Sequence, residues 1–209
     1  MREMHHGEKF NSITHLIGAA FAVAATSILI TIAILKGDVW KITGFTIYGC
    51  MMVFLYSTST LYHSLKQSPA KDFFRKLDHL SIYLMIAGSY TPFTLITLNG
   101  IWGWTILGII WGLAFLGILQ ELIIGKKTRV LSLIIYTLMG WLIIVATKPM
   151  VEKLPKEALA WLVGGGLFYT FGIFIFVFDE KIKHGHGIWH LFVLAGSICH
   201  FACLVGYVV

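Results

Sequence analysis

Residues 12–35 read SITHLIGAAFAVAATSILITIAIL, a stretch without a single Asp, Glu, Lys or Arg. A spanning helix needs about 20 mostly apolar residues, because the hydrocarbon core is about 30 Å thick and a helix rises about 1.5 Å per residue. The run meets that length. It is also too long for the core of a cleaved signal sequence, so it reads as a retained span. Outward from it, six more runs qualify, at 41–63, 77–98, 101–124, 130–148, 157–178 and 187–208. The gaps between them leave no room for a soluble domain, and the longest lies between His63 and Leu77. Asn99 and Gly100 alone separate the third and fourth runs, which predicts a tight hairpin. The expected fold class is all-α, an integral membrane bundle of seven transmembrane helices forming a single domain over residues 1–209.

Composition agrees. Of 209 residues, 57% are hydrophobic and only 12% charged, half the share a water-facing surface carries. Mean hydropathy is +0.82. The net charge of +6 comes from lysines and arginines in the gaps, where they act as topology signals and imply no nucleic-acid partner. Arg2, Lys9, Lys66, Lys71, Arg75, Lys76, Lys126, Lys127, Arg129, Lys181 and Lys183 fall on one side, eleven in all, against Lys36, Lys41, Lys148, Lys153 and Lys156 on the other, five in all. That imbalance places the N-terminus in the cytoplasm and the C-terminus outside. Trp40, Trp102, Trp104 and Trp161 sit near run ends on the outer side, as interfacial rings do. Cys50, Cys199 and Cys203 lie within apolar runs without a CxxC pair and read as packing residues.

Ionisable residues inside a membrane are costly and usually mark function. Here they converge at one depth. His63 ends the second run, Asp78 and His79 open the third, His186 and His190 open the seventh, and Glu8, Asn11 and His15 start the first. The four-residue spacing of His186 and His190 puts both imidazoles on one helix face, about 6 Å apart at the base. With His63 they make three ligands and leave one position open, the pattern of a catalytic zinc site. Spacing alone leaves this reading in balance with histidines that face headgroups. Ser59 shares a face with His63 and is placed to bind water or an oxyanion. Asp78 is the nearest carboxylate, either orienting a ligand histidine or holding the attacking water. His5, His6 and His184 read as interfacial, and His79 as interfacial or as a support for a ligand. His200 lies about 15 Å deeper than His190 and reads as a hydrogen-bonded core residue.

Three motifs together resemble those of the hemolysin III family, the bacterial branch of the progestin and adipoQ receptor proteins. They are Glu8-x2-Asn11-x3-His15, then Ser59-x3-His63 followed by Asp78, then His186-x3-His190. The resemblance covers the whole chain. It implies a seven-helix bundle with zinc at the cytoplasmic end of its cavity, ligated by His63, His186 and His190. It also implies that Asp78 contacts the metal through water. The wider superfamily includes alkaline ceramidases, which cleave lipid amides with a similar serine, aspartate and three histidines.

The expected function is therefore a zinc-dependent hydrolase of a membrane lipid amide or acyl bond in the cell membrane. Membrane lipids are its expected substrate or ligand. A sensor of lipid homeostasis with structural zinc is the alternative. A cytolytic pore, which the family name suggests, is the third. A secreted toxin must stay soluble before insertion, and here every segment is a span.

Overall fold

The structure is a computed structural model that describes residues 7–124 and 129–209. Arg2, His5, His6, Lys126 and Lys127, and the side chain of Arg129, lie outside the described residues. Among the described residues, seven helices are long and apolar enough to cross a membrane: Glu8–Lys36, Val39–Ser64, Pro69–Leu98, Gly100–Ile124, Val130–Lys153, Lys156–Val177 and Gly185–Val208. They form an integral membrane bundle. Its outer face is apolar, with Leu35, Ile101, Ile123 and Val130 among the side chains turned outward, as lipid contact requires. The third helix is the central one. Its most apolar stretch is 67% buried, against 11% for that of the sixth.

The helices outrun the apolar stretches that signal them. The largest difference is at the third, which starts at Pro69 and reduces the expected long gap to residues 65–68. Its first two turns carry Lys71, Asp72, Arg75 and Lys76, so hydropathy hides them. The local start signal is nonetheless explicit. Ser68 Oγ accepts the Lys71 backbone N–H at 3.2 Å, and Pro69 occupies the first helical position, where its missing N–H costs nothing. The second helix is capped in the same way by Asp38, which accepts from the N–H groups of Trp40 and Lys41.

Two prolines shape the interior. Pro92 stands in the third helix, and the chain continues as a π-helical stretch over Phe93–Leu98. It then turns at Asn99 (φ 52°) and Gly100 (φ 55°), the tight hairpin the dipeptide predicts. In the fifth span, read from sequence as one run, α-helix Arg129–Trp141 gives way to a 3-10 stretch, Leu142–Ala146, before Thr147–Lys153. Pro149 has no N–H for the Val145 carbonyl and crowds it, which tightens the preceding turn. The Tyr90 hydroxyl enters this break, donating to the Gly140 carbonyl at 2.8 Å and accepting from the Ile143 N–H at 3.0 Å.

A knot of hydroxyls ties the second, sixth and seventh helices. Tyr56 and Tyr169 meet Ser197 Oγ at 2.8 and 3.0 Å, and Tyr48 donates to the Ser197 carbonyl at 3.3 Å. Interhelical hydrogen bonds of this kind contribute about 0.6–2 kcal/mol each within a membrane.

Candidate metal centre

His63 comes from the last turn of the second helix, and His186 and His190 from the first turns of the seventh. Their rings close into a triangle with centroids 5.1, 5.1 and 4.8 Å apart. One nitrogen of each lies within 4.8 Å of the other two, a spacing that can hold a metal ion. His63 is 3% and His190 0% exposed.

Glycines allow the seventh helix to begin here. A Cβ on Gly187 would overlap the Phe10 ring and lie 2.9 Å from Asn11 Oδ1, so its absence lets these two side chains of the first helix pack against the start of the seventh. A Cβ on Gly185 would lie 2.7 Å from the Asp179 backbone. His184 precedes them in the left-handed conformation (φ 60°), exposed as expected, its ring edge-on to Phe10.

Each ring uses its Nδ1 inside the protein. His63 Nδ1 meets Glu8 Oε2, and His186 Nδ1 meets Asp179 Oδ2 at 2.8 Å. His190 Nδ1 lies 3.1 Å from Thr14 Oγ1 and 3.2 Å from the Asn11 carbonyl. Thr14 gives its own proton to that same carbonyl, so toward His190 it is an acceptor. The partners of all three Nδ1 atoms are therefore acceptors. That sets Nδ1–H, and in the neutral ring it leaves the lone pair on Nε2. The three Nε2 atoms are buried and have no hydrogen-bond partner. Buried polar groups are normally satisfied, and three unpartnered imidazole nitrogens this close together form a donor set that fits a divalent cation.

The remaining site residues surround this triangle. His15 stacks on His190 with centroids 3.5 Å apart and planes 14° apart, and neither of its nitrogens is bonded. Asn11 Oδ1 is likewise unpartnered while its carbonyl serves His190. Ser59 is fully buried with an unbonded Oγ, whereas Thr58, Thr60 and Ser64 on the same helix bond back to their own turn. Asp78 is 6% exposed and is not one of the three clustered ligands. It lines, with His15, a cavity of about 430 Å³. His79 is turned elsewhere, pairing with Glu121 of the fourth helix at 3.2 Å. His200 is buried and lies edge-on to Tyr169, with its Nδ1 unpartnered.

Asp179 and Thr14 have no part in the sequence-based reading, and Lys71 enters it only as a topology signal. Asp179 sits among the charged residues of the sixth gap, and Thr14 inside an apolar run. Only the fold brings them to the histidines.

Seven membrane helices around a buried histidine triangle define a class of multi-pass proteins of the cell membrane. Residues 4–201 match the family model described as Haemolysin-III related, and the chain belongs to that family. It is 46% identical to Hemolysin-3 of Bacillus cereus over 198 residues, which cover 95% of this chain and 90% of that one. It is 42% identical to the Hemolysin-3 homolog of Bacillus subtilis (strain 168) over 199 residues, 95% and 93% of the two chains. The human Monocyte to macrophage differentiation factor is 30% identical over 203 residues, 94% of this chain and 82% of that one.

Proposed function

We propose that the chain is a zinc-dependent hydrolase of a membrane lipid amide or acyl bond, with zinc on His63, His186 and His190. The observation that carries this reading is the set of three buried, unpartnered Nε2 atoms, with a cavity that reaches His15 on the flank of His190. Three neutral imidazoles suit zinc and leave a coordination position free. Zinc held there supplies Lewis-acid polarisation of a carbonyl and lowers the pKa of water to about 7.

The chain supplies the rest. Glu8, Asp179 and the Asn11 carbonyl hold the three rings by Nδ1 so that the lone pairs face inward. Asp78, on the cavity wall, holds the attacking water and takes its proton. Ser59 offers its unbonded hydroxyl to the carbonyl oxygen as negative charge develops. The cavity takes the acyl chain. Its wall follows the third helix from Asp78 to Phe93, ~22 Å at helical rise, and is mostly Leu, Ile, Met, Val and aromatic side chains. That lining suits a hydrocarbon better than an ion, and so favours a lipid hydrolase over a pore. The excess of basic residues in the gaps on the histidine-bearing side of the sequence supports a centre near the cytoplasmic face.

The test pairs metal analysis with lipid turnover. Purified protein should carry one zinc per chain and release fatty acid from a lipid amide or ester in mixed micelles. His190→Ala should lose both. Turnover that survives without metal would end the hydrolase reading. Zinc without turnover across lipid classes would favour the structural-zinc sensor.

A further inference from the structure

Lys71 belongs by position to the basic residues that set topology, yet the structure buries it to 7% exposure. An ammonium group has three donors and no acceptor. All three are used: Glu8 Oε1 at 3.1 Å, the Tyr62 carbonyl at 3.0 Å and the Leu65 carbonyl at 3.0 Å. The two carbonyls close the second helix, the end that carries His63, and a cation is favoured there by the helix dipole. The Tyr62 ring covers the ammonium at 4.7 Å. Glu8 is shared, one oxygen on Lys71 and the other on His63 Nδ1. Lysine is thus linked to the imidazole through a single carboxylate.

We propose that Lys71 is a positioning residue of the metal centre, holding the Glu8 carboxylate against His63 and so setting the triad's affinity for a divalent cation. The inference rests on the metal reading of the triad. A buried ammonium is costly, and an apolar side chain of similar size would pack the same space at less expense. What the lysine adds is a fixed place for Glu8. With His63 as its only partner, that carboxylate would be free to rotate, and the ring with it. Arginine is a poor substitute, because its planar fork cannot reach three acceptors that converge from different directions.

The test measures the zinc Kd by chelator competition, and the visible spectrum of the cobalt form, on the full chain in detergent. K71M is expected to weaken zinc 10–100-fold, the usual effect of losing an outer partner, and to change the cobalt bands. The double variant E8Q/K71M is expected to match E8Q alone, since the lysine acts only through the carboxylate. Should K71M not accumulate, K71R carries the test, with an affinity between those of wild type and E8Q. Wild-type affinity and spectrum in K71M, or in K71R where that variant carries the test, would overturn the proposal. So would losses that multiply in the double variant. Wild-type protein that binds no zinc would instead overturn the metal reading beneath it.

Discussion

Asp179 holds His186 from seven residues upstream, and nothing in its spacing announces this. In sequence it is one acid beside Glu180 and Lys181, indistinguishable from gap charges. The partner of His63 was more legible, because Glu8 stands with Asn11 and His15 at three- and four-residue steps on one helix face, whereas His190 meets the Asn11 backbone carbonyl and Thr14, which carry no such signal. A test follows from the 2.8 Å contact. Asp179→Ala should lower zinc affinity 10–100-fold while leaving one zinc bound at saturation. His186→Ala should lower it further, because a ligand is lost. Chelator titration of both variants separates the two cases, and equal affinity of Asp179→Ala and wild type would remove Asp179 from the centre.

Helix contacts decide whether the histidines meet at all. Gly187 lets the seventh helix lie against Phe10 and Asn11. Gly187→Ala should push that helix away, weaken zinc at least tenfold and lower the unfolding midpoint. Gly164→Ala, with no atom within 4 Å of its Cβ, should do neither. Zinc titration and thermal unfolding of the pair check this directly. At the break in the fifth helix, Tyr90→Phe leaves the Gly140 carbonyl and the Ile143 N–H without their partner. The expected cost is about 1–3 kcal/mol, read from unfolding in detergent, with zinc affinity unchanged. Hydropathy could locate every span, since lipid imposes a length and an apolar surface on each. It could not locate the amphipathic start of the third helix, where Lys71 and Arg75 mask a helix that Ser68 and Pro69 begin. Nor could it show the consequence of Pro149, which depends on Tyr90 arriving from another helix to satisfy the break.

The bundle as a whole separates two tasks. Its basic end gathers the histidines, and its interior offers an apolar chamber beneath them. Ile86 lines that chamber two helical turns, ~12 Å, along the third helix from Asp78. Ile86→Trp should narrow it partway along the third helix, so lipid turnover should fall at least tenfold with zinc content unchanged. Paired metal and product assays read both, and unchanged turnover would show that the chamber does not hold the substrate. Residue pattern gave the chamber no signature, because cavity-lining and lipid-facing residues are apolar alike, and only the family resemblance implied a cavity.

The central claim is that three imidazoles from the second and seventh helices grip one cation through their Nε2 atoms. X-ray absorption at the zinc edge of purified protein tests it most directly. The account predicts one zinc per chain with imidazole nitrogens at about 2.0–2.1 Å and no sulfur ligand, a signal that His190→Ala abolishes. Folded wild-type protein that binds no zinc, or an unchanged zinc signal in His190→Ala, would contradict it.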